Sequence, residues 1–192
     1  MNINLINESE DAKQYHSHIL ALLSQCYVNT GNTKEALELL DKSLAFNKSV
    51  LGEAHYTNCN IYMAMVNIYL KKKMYKETIE KLLIVLDLTE SEYGLKALET
   101  VLVIKDLADT YYKNKEFEEA IEYQKKAVEG CKEIKNIDPK IIEQESIKLC
   151  EIYEQADKLS EAIKTLREVR EVNNVRWKMV KNKKGSGRLV SY

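Results

Sequence analysis

The residues that could carry chemistry are few, and their spacing does not suit it. His16 and His18 are two residues apart, so they would point to different sides of a helix and could not share a metal ion. His55 and Cys59 are four apart, but a zinc site needs four ligands and this pair is isolated. The chain has no glycine-rich phosphate loop, and no pattern singles out a Ser/His/Asp set. These observations favour a protein that is not an enzyme and uses no metal and no cofactor.

A period of 42 residues organises the chain. Tyrosine recurs at this step, at Tyr27, Tyr69, Tyr111 and Tyr153. A second set, mostly alanine, keeps the same step, at Ala36, Thr78, Ala120 and Ala162. A fixed step of roughly 20 to 50 residues indicates a stacked repeat protein. We number each unit so that its tyrosine is position 11, which places the second set at position 20.

Each unit has the pattern of two helices joined by a tight turn. In the first unit, apolar residues recur at helical spacing up to Asn29, and Gly31 then supplies a residue that can end a helix in a left-handed conformation. Gly52, Gly94 and Asn136 recur 42 residues apart, where the second helix of a unit must stop. One proline and six glycines in 192 residues leave little to interrupt the helices. The pattern predicts an all-α fold of about eight helices.

Most units carry a large residue at position 4, another at 7, a small one at 8, tyrosine at 11 and alanine at 20. This pattern resembles the tetratricopeptide repeat. The 42-residue period is similar to the longer variety found in kinesin light chains, and Leu51-Gly52-Glu53-Ala54-His55 is similar to the joints of that variety. The resemblance implies a right-handed α-solenoid of four helix-turn-helix repeats, followed by a C-terminal extension.

The repeats set the expected domain organisation. A polar lead-in should occupy residues 1–13, before a repeat region at 14–175. The individual repeats are expected at about 14–53, 57–95, 98–137 and 139–175, and a basic cap or tail at 176–192.

In tetratricopeptide proteins, one stripe of each first helix lines a concave groove that binds a peptide, and the resemblance carries this stripe to positions 2, 5, 9 and 13 here. The candidate groove residues are His18, Gln25, Asn29, Asn60, Met63, Asn67, Lys71, Leu102, Lys105, Asp109, Lys113 and Glu151. Lys71, Lys105 and Lys113 would form a positive spot, which favours a peptide with carboxylates beside an apolar anchor for Met63 or Leu102. The alternative is that these side chains are only the solvated faces of exposed helices.

Charge is distributed unevenly along the chain. The net charge is −1, but residues 173–192 hold six basic residues and no acid. The preceding 172 residues hold 23 basic against 30 acidic residues, a net charge of −7. The basic residues of the tail are Arg176, Lys178, Lys181, Lys183, Lys184 and Arg188. They could dock on an acidic surface such as the tails of tubulin, nucleic acid or an anionic membrane. Alternatively, residues around Trp177 could extend the last helix and cap the stack.

The sequence therefore predicts a scaffold or adaptor that binds a protein or peptide partner in the groove. The alternative is a structural component of a cytoskeletal or ciliary, microtubule-associated assembly, held by its outer faces and basic tail. Neither hypothesis includes a small-molecule substrate. Nucleic acid ranks lower because the body is acidic, and no apolar run reaches the ~18 residues that a membrane span needs. The expected location is cytoplasmic, with a cytoskeletal or ciliary site under the alternative.

Overall fold

The computed structural model describes residues 31–171, together with Ile19 and Leu22. All regular secondary structure in this part of the chain is helical, which confirms the predicted all-α class. None of the helices described is both long enough and apolar enough to cross a membrane.

Seven helices lie within residues 31–171, and we number them in chain order. The first six are α1 (Thr33–Leu51), α2 (Asn58–Lys71), α3 (Tyr75–Tyr93), α4 (Leu98–Lys113), α5 (Phe117–Glu133) and α6 (Pro139–Gln155). Residues 159–171 form α7. The helices α1, α3, α5 and α7 begin at residues 33, 75, 117 and 159, which keeps the 42-residue step. They are the second helices of the four units, and α2, α4 and α6 are the first helices of units two, three and four. Helices from α1 to α6 pack chiefly on their neighbours in sequence, as in a stack of repeats.

The turn inside each unit contains one residue with left-handed backbone geometry. These residues are Gly31, Lys73, Lys115 and Asp157, with φ of 87°, 57°, 64° and 57°. In unit two, the N–H of Met74 donates to the carbonyl of Tyr69 at 2.9 Å, and the N–H of Lys73 donates to that of Leu70 at 3.0 Å. This pair of bonds satisfies carbonyls that the end of a helix leaves without partners. The expected left-handed residue at Gly31 is confirmed.

We predict that Lys73→Gly stabilises the protein. A lysine in the left-handed region carries a steric cost that glycine lacks, so the free energy of unfolding should rise by about 0.5–1 kcal/mol. The neighbouring Lys72→Gly is the matched control. Lys72 is also exposed but has a φ of −87°, so the added backbone freedom should lower the free energy of unfolding by a similar amount. Urea unfolding followed by circular dichroism measures both changes, and equal destabilisation by the two variants would contradict the turn geometry.

The helices of a unit approach closely through small residues. Val66, Ala108 and Cys150 at position 8 are buried. All four residues at position 20 are at most 7% exposed, including Thr78. The Thr78 hydroxyl donates to the carbonyl of Met74 at 2.8 Å, so a polar residue is tolerated where the other units have alanine. Ser146, which replaces a large residue at position 4 of unit four, likewise donates to the carbonyl of Ile142 at 2.7 Å.

The first two joints between units are built alike. Gly52 and Gly94 follow α1 and α3 with φ of 97° and 84°. The residue just before position 1 of the next unit, which we call position 0, donates a side-chain hydrogen bond to each glycine carbonyl. Asn58 Nδ2 donates to the carbonyl of Gly52 at 3.2 Å, and Thr100 Oγ1 donates to that of Gly94 at 2.8 Å. Ile142 occupies position 0 of unit four and has no polar side-chain atom to do the same.

The third joint differs in its backbone as well. Asn136 is left-handed with a φ of 61°, as the sequence suggested, but it lies three residues beyond Glu133, where α5 ends. Ile134 is extended, so the helix stops earlier than the repeat phase predicts. Asp138 then caps α6 by accepting from the N–H of Lys140 at 2.9 Å, and Pro139 is the first helical residue.

Candidate functional site

The candidate groove residues on α2, α4 and α6 face outward from the packed core. Six are exposed: Asn60, Asn67, Lys71, Leu102, Lys113 and Glu151. Three are half-buried: Met63, Lys105 and Asp109. Positions 2 and 13 are exposed in all three units, whereas positions 3, 7 and 8 are buried in all three. Positions 2 and 13 are therefore available to a partner in all three of these helices. His18, Gln25 and Asn29 lie outside the described residues, as do the six basic residues of the tail.

Two of the candidate groove residues form ion pairs between α4 and α6. The ammonium of Lys105 lies 2.5 Å from Glu145 Oε1, and the ammonium of Lys148 contacts Asp109 Oδ1. The positive spot expected from three lysines is thereby reduced, because Glu145 offsets the charge of Lys105. Lys71 and Lys113 are exposed at equivalent positions and carry no such pairing in the described structure.

The centre of this surface has mixed charge. Partial desolvation of the carboxyl raises the pKa of Asp106, and repulsion from Asp109 raises it further. Lys105, Lys148 and Lys113 oppose this shift and so lie close enough to act on the same carboxyl. A partner would meet charges of both signs here, so the positive spot predicted from the three lysines is not uniform.

A buried polar contact underlies the Lys105 ion pair. Gln124 on α5 is fully buried, and its Nε2 donates at 2.9 Å both to the Glu145 carboxylate and to the Glu145 carbonyl. Glu145 itself is only 6% exposed. Gln124 is at position 24, where units one and two have leucine, and Glu145 is at position 3, where units two and three have isoleucine and valine. Sequence reasoning missed this contact, although two polar residues at paired apolar positions were the signal for it.

We predict that removing Glu145 alone destabilises the protein and that changing both partners restores it. In Glu145→Val, the buried amide of Gln124 loses its carboxylate acceptor and Lys105 loses its counterion, which should cost about 1–3 kcal/mol of unfolding free energy. Gln124→Leu/Glu145→Val recreates the apolar pair of the other joints and should return to within about 1 kcal/mol of the original protein, or exceed it. Urea unfolding of the original protein, both single variants and the double variant measures the coupling. Strictly additive losses would contradict a direct contact between the two side chains.

A cavity of about 630 Å³ lies elsewhere, between α5, α6 and α7. Its apolar lining includes Val128, Ile142, Leu149, Tyr153 and Val169, and charged side chains of both signs surround it. None of the candidate groove residues lines it. The cavity and the exposed stripe of the first helices are therefore separate surfaces.

The surroundings of the thiols and the histidine in the described region do not suggest a reactive or metal-binding site. Burial raises the pKa of the Cys59 thiol to about 11, so it stays protonated and weakly nucleophilic near neutral pH. Cys131 and Cys150 are buried free thiols whose pKa values are also raised by burial. His55 Nδ1 lies 2.8 Å from the Thr57 hydroxyl. Within the region that the structure describes, no three His, Cys, Asp or Glu side chains are grouped so that they could hold a metal ion.

Two family models match the sequence, and both describe the tetratricopeptide repeat. One covers residues 57–133 and the other residues 18–56. Together they span more than half of the chain, which belongs to the tetratricopeptide repeat family. The second match includes most of the first unit. Repeats of this kind imply a protein-interaction scaffold, whose fold is generally non-catalytic, and hence a protein partner.

Solved structures share the fold at low sequence identity. BtubC (BKLC) from P. vanneervenii is 17% identical with a TM-score of 0.69, over 83% of this chain and 64% of that one. The nearly identical, kinesin-light-chain-like TPR repeats of Podosopora anserina are 20% identical with a TM-score of 0.66, over 84% and 76%. MamA from Desulfovibrio magneticus RS-1 is 18% identical with a TM-score of 0.55, over 83% and 76%. These similarities support the predicted solenoid of kinesin-light-chain-like repeats. No curated protein matches the sequence.

Proposed function

We propose that this protein is a non-catalytic scaffold that binds a peptide or partner segment along the exposed stripe of its first helices. The observation that carries the proposal is the repeated exposure of positions 2 and 13 on α2, α4 and α6, beside positions that are buried in every unit. A ligand lying across these helices would meet the same positions in each successive unit. Repeats that stack in this way create extended binding surfaces.

The side chains of the stripe fit a peptide with both acidic and apolar residues. Asn60 and Asn67 are exposed amides, which can bond to a peptide backbone without selecting its sequence. Leu102 is 48% exposed and offers an apolar contact. Lys71 and Lys113 occupy position 13 of adjacent units and can pair with carboxylates. Because Lys105 already contacts Glu145, we assign the attraction of an acidic peptide mainly to Lys71 and Lys113.

We predict that Lys71→Glu/Lys113→Glu weakens peptide binding. Peptides selected on the purified protein from a displayed library of random sequences serve as the probe, and their affinities are measured by fluorescence anisotropy. The selected peptides should combine acidic and apolar residues, and the double reversal should weaken their binding at least about 10-fold.

The matched control is Lys42→Glu/Lys76→Glu, which changes charge equally at exposed lysines of α1 and α3. It should leave affinity within about twofold. Selection of no peptide, or an equal loss in both variants, would refute binding along the stripe. The alternative, in which the stripe is only the solvated face of exposed helices, predicts that no peptide is selected.

The second candidate function is that of a structural component of a microtubule-associated assembly in the cytoskeleton or cilium. The charge difference between the tail and the rest of the chain favours it, because six basic residues could pair with an acidic polymer surface. This candidate would be held through Arg176, Lys178, Lys181, Lys183, Lys184 and Arg188 and through outer faces. A cytoplasmic location is part of both proposals.

For this second candidate, we predict co-sedimentation of the full chain with microtubules at low salt and its loss on removal of residues 176–192. Binding should also fall steeply as salt rises, because the contact is electrostatic. Microtubules stripped of their acidic tails by subtilisin are the control polymer. If the full chain stays in the supernatant, or if binding survives the truncation, the tail does not have this role.

A further inference from the structure

The joints within the stack use one pair of positions. Position 24 of one unit meets position 3 of the next, as the contact between Gln124 and Glu145 shows directly. At the two earlier joints these positions are apolar and buried: Leu40 with Ile61, and Leu82 with Val103. An apolar residue at position 24 is therefore buried where a following unit supplies position 3.

The same positions are exposed at the two ends of the described stack. Leu166, at position 24 of unit four, is 48% exposed, whereas Leu40 and Leu82 are fully buried. Ile163, at position 21, is 51% exposed, although Ile79 and Ile121 are buried. At the other end, Ile19 at position 3 of unit one is 60% exposed. Each end thus presents one half of the apolar joint that the interior of the stack completes.

The sequence segments that flank the described stack carry net charges of opposite sign. Residues 1–18 hold three acids and one lysine, whereas residues 173–192 hold six basic residues and no acid. In chain order, the first segment precedes Ile19 and the second follows α7. Attraction between them would favour a head-to-tail arrangement and disfavour head-to-head or tail-to-tail contact.

We propose that copies of this chain associate head to tail, with Ile163 and Leu166 of one copy packed on Ile19 of the next. The contact repeats the joint between units, so it continues the solenoid from one molecule into another. Such an interface is heterologous: each copy uses two different surfaces, and the association does not close at a dimer. This association is independent of the peptide-binding role proposed above.

The first measurement is the mass of the full chain as a function of concentration, by sedimentation equilibrium. The average mass should keep rising past that of a dimer. Ile19→Glu and Leu166→Glu should each reduce the association constant at least about 100-fold, because a carboxylate would have to be buried at the contact. Both residues are exposed, so the variants should fold, and circular dichroism checks this. Leu83→Glu is the control, since Leu83 is a 39% exposed leucine on α3 away from either end.

The decisive measurement mixes the two variants. Ile19→Glu retains an intact Leu166 end, and Leu166→Glu retains an intact Ile19 end, so together they can form one contact. An equimolar mixture should give a dimer and nothing larger, although each variant alone is monomeric. Lys71→Glu/Lys113→Glu should associate like the original protein, which separates this test from that of peptide binding.

Three results would overturn the proposal. One is a full chain that stays monomeric at every concentration. This result overturns the proposal even if a chain without residues 172–192 associates, because the C-terminal segment would then be what covers α7. Another is a dimer that neither Ile19→Glu nor Leu166→Glu weakens. The third is a mixture of the two variants that stays monomeric.

Discussion

The close approach of the two helices in each unit is the constraint on which the rest of the structure depends. It requires small side chains where the helices meet, and Ala108 and Ala120 of unit three are both fully buried there. Once position 8 is turned toward position 20, helix geometry places positions 2 and 13 on the opposite side of the first helix. Both the core and the surface available to a partner thus follow from one contact between helices.

The repeat period was sufficient to predict the fold because the helical spacing of apolar residues within each unit and the 42-residue step between units indicate the same architecture. Thr78 and Ser146 depart from the pattern, yet each hydroxyl bonds to a carbonyl four residues earlier, so the helix pair is preserved. The same period predicted an exposed stripe on the first helices, and its positions 2 and 13 are exposed in all three first helices that the structure describes, whereas Met63, Lys105 and Asp109 are half-buried. It did so because the side of a first helix on which a position lies depends on its phase within the unit, and that phase can be read from the tyrosines.

Contacts between units were less predictable for a physical reason. The Lys105–Glu145 and Lys148–Asp109 pairs depend on how far α6 is displaced along α4, and a period in the sequence does not contain that offset. Three lysines therefore looked like a common positive spot, although Glu145 on the next first helix neutralises one of them. The sequence also placed the end of α5 too late. Asn136 has the predicted left-handed conformation, but the extended residue Ile134 ends the helix before it.

The third joint differs from the first two in its backbone and in its side-chain contacts. Residues 134–138 form a link that includes an extended residue, and the side-chain anchors supplied by Asn58 and Thr100 at the earlier joints have no counterpart in Ile142. Lys135 within this link is exposed. A protease such as trypsin would thus find a cleavable bond between unit three and unit four, at the border where buried polar groups replace apolar ones. Cleavage after Lys135 would separate the fourth helix pair from the preceding units.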